Sequence, residues 1–173
     1  MKKEVISHVV FTVKNSRYDW QRIKRKKPVG FIAPTFPFFE GEEEEFLIKI
    51  LYDIAIELGL KIAAFNFCGD HVHVVLITDN SDISGIMGPW KGKSAFVYNH
   101  RIQTYNENSP SGNHKIEIQN LWAKSFYQKI ITSAKEFENV IYYVNNNRKK
   151  HGLALLTSFS TKIISTLIII RKE

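Results

Sequence analysis

Cys68-Gly69-Asp70-His71-Val72-His73-Val74-Val75-Leu76-Ile77-Thr78 is the segment from which the architecture of this chain follows. Two histidines flank one aliphatic residue, and the unbroken aliphatic and β-branched run after them is typical of a strand. Because successive side chains on a strand point to opposite faces, we expect His71 and His73 to share one face. Two neutral imidazoles side by side can hold one divalent metal ion.

The segments around this strand alternate between strand and helix patterns. Lys61 to Phe67 predicts a second strand, joined to the first through the hairpin Cys68-Gly69-Asp70. The other predicted elements, in chain order, are a strand over Ser7 to Val13, a helix over Glu42 to Leu58, a helix from Ser81 or Asp82 toward Tyr105, and two short strands around Trp122 within Lys115 to Ile131. A last helix is predicted over Ala134 to Lys150. It follows a capping box at Ser133 and Glu136 and is closed by Gly152.

This element order, β-α-β-β-α-(β)-β-α, resembles a split ferredoxin-like sandwich. We therefore expect an α+β fold in which an antiparallel sheet carries helices packed on one face. The chain has 173 residues, of which 44% are hydrophobic, so a single domain is the natural expectation. We expect this domain to span residues 1–153, with a long basic loop over residues 14–41, and residues 154–173 to form an extension that adds a strand or a helix.

The composition limits which kinds of molecule the protein is expected to bind and in which cellular compartment it is expected to occur. The net charge of +7 favours a polyanionic partner such as nucleic acid, although a solvated basic surface fits equally well. Cys68 is the single cysteine, which excludes a disulfide within the chain and fits a reducing compartment. The apolar run Ile163 to Ile170 has eight residues, whereas a membrane-spanning helix needs about 20. The N-terminal residues lack the apolar core of a signal peptide, so we expect a cytoplasmic protein with no membrane partner.

The histidine pair has several interpretations. It can be exposed on the open face of a sheet, form an inconsequential surface zinc site, or form a zinc site together with Cys68. The sequence has no second cysteine to close a tetrahedral zinc site, so structural zinc ranks below the other interpretations. A site with two histidines and no thiolate leaves positions for oxygen ligands, which suits Mg²⁺ or Mn²⁺ acting on a phosphodiester.

The last predicted helix carries a tyrosine that can join this chemistry. Tyr143 and Asn147 are separated by four residues, so they are neighbours on one flank of the helix, whereas Tyr142 faces away. A tyrosine at the flank of a helix is most often a packing residue. Beside a metal-bound phosphate, however, its phenol is a feasible covalent nucleophile, and the amide oxygen of Asn147 can add to the ion.

Together, these features resemble the single-tyrosine transposases of the HUH endonuclease superfamily, and more closely the branch of REP-associated tyrosine transposases. The segments that carry the resemblance are His8-Val9-Val10-Phe11, the histidine segment Cys68 to Val75, Lys91-Gly92-Lys93-Ser94 with Asn99, Leu121 to Tyr127, and Tyr142 to Leu153. The chain departs from the family pattern at Arg148, where Pro is common, in the length of the loop 14–41, and in the tail after Leu153.

The resemblance implies the HUH endonuclease fold and a specific activity. Tyr143 takes the place of the nucleophile, His71 and His73 take the places of metal ligands, and Asn147 takes the place of a third polar ligand. The enzyme would nick single-stranded DNA near a hairpin and leave a 5′-phosphotyrosine and a free 3′-hydroxyl. The ion would be Mg²⁺ or Mn²⁺, and the protein a monomer or a homodimer. The alternatives are a domesticated hairpin-binding protein without cleavage activity and, less favoured, a two-histidine phosphoesterase, which would require two separated motifs.

Cations and aromatic rings that could hold DNA are spread over three regions. Such mixtures suit single-stranded or hairpin nucleic acid, although they also occur in ordinary exposed loops. His8 is expected to make only a structural hydrogen bond. The candidate DNA-binding residues are Arg17, Trp20, Arg22, Lys24, Arg25, Lys26 and Lys27 in the basic loop, Lys91 and Lys93 in the middle helix, and Arg148 and Lys149 after the tyrosine.

Overall fold

The computed structural model describes residues 4–14, 16, 39–79, 82–108 and 120–154. Most of the basic loop, including its predicted DNA-binding residues between Arg17 and Lys27, lies outside the described residues, as does the extension from residue 155 onward. No helix within the described ranges combines the length and the apolar character needed to cross a bilayer.

The centre of the fold is a four-stranded antiparallel sheet. Its strands are β1 (Val5–Thr12), β2 (Lys61–Phe67), β3 (His71–Thr78) and β4 (Tyr127–Ile131), arranged in the order β2-β3-β1-β4. The bounds of β2 and β3 are those predicted from the sequence. Because β1 pairs along its whole length with β3, the first and third strands in the chain lie together at the middle of the sheet. The predicted α+β class with an antiparallel sheet is confirmed.

Two helices connect the strands across one face. Helix α1 (Gly41–Glu57) carries acidic residues in its first turn, where they complement the helix dipole, and Gly59 with a φ of 62° follows its end. Helix α2 (Ser84–Asn108) contains Pro89 near its beginning and runs three residues beyond the predicted end at Tyr105. Residues 106–108 continue the helix.

The larger hydrophobic core lies between these two helices and the sheet. Val9 and Phe11 of β1 are buried against Leu47 and Leu51 of α1 and Trp90 of α2. The indole nitrogen of Trp90 donates a hydrogen bond of 2.9 Å to the carbonyl oxygen of Leu51, so the one polar atom of the ring is also satisfied. This contact fixes α2 against α1 beneath the sheet.

A third helix packs against the opposite face. Helix α3 (Ala134–Asn145) buries Val144 in a smaller cluster with Ala64, Val75 and Ile131 of the sheet. These strand residues alternate with those of the larger core, as the pleat of a strand requires. The expectation that the helices share one face therefore holds for α1 and α2 and is corrected for α3, because the sheet has an apolar patch on both faces.

The tyrosine-bearing helix is shorter than predicted. The single predicted helix from Ala134 to Lys150 is interrupted at Asn146, after which α4 (Asn147–Lys150) begins. Asn66 of β2 donates a hydrogen bond of 2.7 Å from its side-chain Nδ2 to the carbonyl oxygen of Val144, so the sheet binds one of the last carbonyls of α3. At the other end, Ser133 caps the helix by accepting from the Glu136 amide, as predicted.

The region around Trp122 forms one strand rather than two within the described residues. Trp122 makes an isolated antiparallel bridge with Val13, and β4 follows five residues later. The indole nitrogen of Trp122 donates to the hydroxyl of Ser94 at 2.8 Å, which holds this segment on α2. The pairing expected at this position is therefore limited to this one bridge and the backbone hydrogen bonds that flank it.

Candidate active site

His71 and His73 lie next to each other on the face of the sheet that carries α3. Their rings are buried, with centroids 4.9 Å apart and planes at 79°. Alternation along β3 gives the two side chains the shared face that was predicted. In the pairing with β1, Thr12 lies opposite His71 and Val10 lies opposite His73. The two imidazoles therefore stand in a row near one end of the sheet.

The protonation pattern of His71 follows from its neighbour in the chain. The Nδ1 atom of His71 lies 2.5 Å from a carboxylate oxygen of Asp70. Because a carboxylate can only accept, Nδ1 carries a proton, and in the neutral form of the ring the lone pair lies on Nε2. The Nε2 atom is buried and has no hydrogen-bond partner among the described residues. An imidazole oriented by a carboxylate, with its second nitrogen unpaired, has the arrangement of a metal ligand.

His73 also has a partner for its Nδ1 atom. This partner is Nε2 of His8 on β1, at 3.1 Å, and the two rings are stacked with centroids 5.3 Å apart. His8 and His73 are diagonal neighbours across the β1–β3 pairing. Burial lowers the pKa of His8 below 6.5, and the nearby charge of Lys129 lowers it further, so its neutral form prevails at pH 7.

Tyr143 lies against this histidine row. Its ring is perpendicular to that of His73, with centroids 5.4 Å apart, and lies 6.1 Å from that of His8. The exposed fraction of Tyr143 is 38%, compared with 72% for Tyr142. Burial of Val144 against the sheet turns Tyr143 to the flank of α3 that faces the histidines. One ring is thus half-covered beside the histidines while its neighbour points away.

An open cleft of about 530 Å³ gives access to these groups. The ammonium nitrogen of Lys150 lies 5.2 Å from the centroid of the Tyr143 ring, which places a cation at the mouth of the cleft. The cleft is lined by Val10, Phe11, Thr12, His71, His73, Ser125, Phe126, Tyr127, Tyr143, Lys150 and His151. The phenol of Tyr143, three imidazoles and a cation therefore face one solvent-accessible space.

Asn147, the predicted third ligand, is buried at the beginning of α4 and is not among the residues that line the cleft. Its Oδ1 accepts from the thiol of Cys68 at 3.2 Å, whereas its Nδ2 has no partner among the described residues. A half-turn of the amide exchanges the two atoms, so Asn147 can present its oxygen where Nδ2 now lies. Its role as a ligand stays a prediction.

The donor set suits a metal that prefers mixed nitrogen and oxygen ligands. Within the described ranges, no three His, Cys, Asp or Glu side chains converge closely enough to hold an ion. The unpaired Nε2 of His71 nevertheless fits a metal ligand, and His73 offers a second imidazole beside it. Remaining positions would be filled by amide, water or phosphate oxygens, as hard divalent cations prefer.

Comparison with protein families decides the identity of this fold. The model of the family described as "Transposase IS200 like" matches residues 34–147, more than half of the chain. The chain belongs to the IS200-like transposase family. The resemblance to tyrosine transposases inferred from the sequence is thereby confirmed. No curated protein sequence matches the chain.

Solved structures resemble this chain at low sequence identity. One is a REP-associated tyrosine transposase bound to a REP hairpin, with 13% identity and a TM-score of 0.50 over 87% of this chain and 70% of that one. Another, from Deinococcus radiodurans R1, is described as a candidate transposase; it has 20% identity and a TM-score of 0.49 over 84% of this chain and 92% of that one. At this identity, the first likeness supports the fold alone.

Two of the predicted DNA-binding residues have structural roles in this transposase. Arg148 is buried, forms an ion pair with Glu44 of α1, and donates to the carbonyl oxygen of Phe67 at 2.8 Å. The ammonium of Lys91 donates to the carbonyl oxygens of three consecutive residues, and burial lowers its pKa. The prediction of a DNA contact is corrected for Arg148, because its charge is buried and paired with a carboxylate. For Lys91, which is only partly buried and whose partners are neutral carbonyls, it stays a prediction.

The other two described candidates remain at the surface. Lys93 forms an exposed ion pair with Glu57. Salt screens such a pair, and a DNA phosphate can replace Glu57 as the partner of Lys93. Lys149 is exposed. Their contact with DNA stays a prediction.

Several residues of the site escape sequence reasoning. The sequence predicts only a structural hydrogen bond for His8, although strand alternation on β1 places it on the same face once the register with β3 is known. His151, whose ring lies 5.2 Å from that of His71, follows Asn147 by four residues, a helical spacing that is visible in the sequence. Asp70 immediately precedes His71, so the sequence itself indicates that the two side chains can be close.

Proposed function

We propose that this transposase nicks single-stranded DNA and transfers the strand through a covalent tyrosine intermediate. The observation that carries the proposal is the position of Tyr143, whose ring lies edge-on to His73 at the wall of an open cleft. A nucleophile beside two imidazoles suits attack on a phosphodiester. The exposed ring of Tyr142 serves as an internal comparison, because it has the same chemistry without the neighbours.

The proposed step exchanges one phosphate ester bond for another. The phenolic oxygen of Tyr143 forms a bond to phosphorus, and the bond between phosphorus and the 3′-oxygen breaks. The phenol gives up a proton and the leaving 3′-oxygen takes one up, both by exchange with water in the cleft. The products are a 5′-phosphotyrosine and a free 3′-hydroxyl. Rejoining to another 3′-hydroxyl reverses the step and needs no external energy, since the phosphotyrosine retains the ester bond.

His71 and His73 would hold the divalent ion, with Asn147 as the proposed third ligand. The chemistry that a bound Mg²⁺ or Mn²⁺ supplies is withdrawal of charge from a non-bridging phosphate oxygen. Asp70 orients the His71 ring through its Nδ1 atom. Lys150, beside the Tyr143 ring, would hold the phosphate group close to the phenol by charge attraction.

The proposed substrate is a single strand that contains a hairpin. The net charge of +7 favours a nucleic acid, and a structure of the same fold was solved with a REP hairpin. At 13% identity, that complex supports the fold, and hairpin recognition by this chain is part of the proposal.

The polarity of the covalent product tests this proposal. A hairpin-bearing single strand, labelled at its 5′ end in one sample and at its 3′ end in another, is incubated with the full chain and Mn²⁺ and separated in SDS. Attack as proposed joins the protein to the 3′ fragment, so the 3′ label migrates with the protein and the 5′ label with a shortened free strand. EDTA should abolish both products.

Two results would contradict the proposal. Transfer of the 5′ label to the protein would reverse the polarity of attack. Binding without any adduct, across hairpin strands and with either Mg²⁺ or Mn²⁺, would indicate instead a protein that recognises hairpin DNA and does not cleave it. A double-stranded oligonucleotide of the same sequence serves as the control for strand preference.

A further inference from the structure

A second cavity lies beside α2, against the segment that precedes β4, and the proposed mechanism assigns no group to it. We call it the α2 cavity, and its volume is about 350 Å³. Its lining includes the buried side chains of Met87, Leu121 and Trp122. A cavity of this volume, with a largely apolar lining and a few polar groups, has the usual character of a site for a small organic group.

The α2 cavity and the cleft of the candidate active site share one side chain, that of Phe126. The residues around Phe126 divide between the two spaces. Ala123 and Lys124 line the cavity, whereas Ser125 and Tyr127 line the cleft. A nucleic acid strand with a phosphate in the cleft therefore has the α2 cavity on the other side of a single ring.

The charges at the α2 cavity are positive. Lys124 is exposed at its lining, and the ammonium of Lys91 lies 5.9 Å from the centroid of the Phe126 ring. The same ammonium donates to the carbonyl oxygens of residues 123, 124 and 125, so Lys91 also holds the segment that borders both spaces. Asp and Glu do not occur among the described residues that line the cavity. Cations beside aromatic and apolar surface suit the phosphates and bases of a single strand.

Resting on the proposed function, we infer that the α2 cavity receives a nucleobase of the single strand whose phosphodiester lies in the cleft. The apolar lining suits the base, and Lys91 and Lys124 suit the phosphates on either side of it. Because Phe126 borders both spaces, the base belongs to a nucleotide close to the bond that is cut. Contact between a base and an aromatic ring tolerates any sequence, so this cavity anchors the strand without reading it.

Gly92 offers a way to fill the α2 cavity without displacing its walls. It lies within α2 and lines the cavity, and a Cβ atom added to it would meet no atom within 4 Å. Gly92→Leu therefore occupies part of the space that the base would take. Gly92→Ala is the size control, because it leaves most of that space open. Both changes favour the helix, since glycine is a weak helix former.

The test measures binding of the hairpin-bearing strand by fluorescence anisotropy in the Tyr143→Phe background, with successive nucleotides beside the hairpin replaced one at a time by an abasic site. We expect one position at which removal of the base weakens binding by about 5- to 100-fold, while a different base there keeps the affinity. Gly92→Leu should weaken binding of the intact strand by a similar factor and lose nothing further at that abasic position. Gly92→Ala should bind every strand as its parent does.

Three results would overturn the inference: equal binding of the intact strand by Gly92→Leu and Gly92→Ala, losses from Gly92→Leu and from the abasic site that multiply at every position, or no binding of any single strand. Failure of the proposed chemistry is distinguishable, because it would appear as a wild type that binds the strand and forms no adduct. The abasic series requires no cleavage and would still decide the role of the cavity.

If Gly92→Leu does not fold, Gly92→Cys takes its place, because its side chain is small and the native Cys68 is buried. The rate of alkylation of the added thiol then reports access to the α2 cavity. A saturating intact strand should slow alkylation, and a saturating strand with the abasic site at the sensitive position should not. Equal protection by the two strands would also overturn the inference.

Discussion

The ring of Tyr143 stands perpendicular to the ring of His73, at 86° and with 5.4 Å between centroids. These residues lie 70 positions apart in the chain and on different elements, a helix and a strand. Their contact depends on the packing of α3 against the face of the sheet opposite to α1 and α2. The candidate site therefore combines residues of the sheet with a residue of α3, a helix that lies outside the ferredoxin-like core. The contribution of each residue can be tested separately.

Tyr143→Phe should abolish the covalent adduct, whereas Tyr142→Phe should leave it unchanged. The adjacent tyrosines differ in surroundings, and only Tyr143 lines the cleft. Removal of either partly exposed hydroxyl should alter the free energy of unfolding by no more than about 0.5 kcal/mol, so folding does not confound the comparison. The measurement is the fraction of labelled DNA that migrates with protein in SDS. An adduct that survives in Tyr143→Phe and disappears in Tyr142→Phe would exchange the two roles.

Asp70→Asn should weaken Mn²⁺ binding by about 10- to 100-fold. An amide can accept only as a neutral group, so it holds the Nδ1 proton of His71 less strongly than the carboxylate does. The control is Asp53→Asn, which removes an exposed carboxylate that pairs with Lys49 on α1. Isothermal titration with Mn²⁺ measures both variants. Equal affinities in Asp70→Asn and wild type would show that the carboxylate does not orient a ligand.

Arg148→Met should lower the free energy of unfolding by about 3–5 kcal/mol, because it leaves Glu44 buried without its partner. Substitution of both residues by Met should recover most of this loss, since no uncompensated charge remains. Lys149→Met is the control, and its exposed position predicts a change within about 0.5 kcal/mol. Urea denaturation of the full chain measures all three. If Arg148→Met is as stable as wild type, the ion pair between Arg148 and Glu44 does not anchor α4.

Lys150→Met should reduce the salt dependence of DNA binding more than Lys149→Met does. Only Lys150 of the two lines the cleft beside Tyr143. For each phosphate of a single strand that the protein no longer neutralises, the magnitude of the slope of log K against log salt falls by about 0.7. Fluorescence anisotropy in the Tyr143→Phe background measures binding without cleavage. Equal slopes of log K against log salt for wild type and Lys150→Met would show that Lys150 does not contact a DNA phosphate.

The limits of prediction are visible at three residues. The basic neighbours of Arg148 in the sequence predict a DNA contact, yet its side chain reaches between β2 and α1, an environment that no local pattern reveals. The place of Lys91 in a helix predicts a DNA contact but does not reveal the three backbone carbonyls that bind its ammonium. The sequence indicates only a structural role for His8, because its nearest partner, His73, lies on another strand.

The amino-acid sequence by itself determined most of the elements, the strand bounds around His71 and His73, and their shared face. These features follow from periodicity, which depends on residues a few positions apart. The family was inferred from the resemblance of several ordered motifs. Only the tertiary structure decided that α3 lies on the second face, that His8 meets His73, and that Tyr143 stands beside them. Such contacts depend on strand register and helix packing, and a slip of a single residue in register would turn every side chain of a strand to the other face.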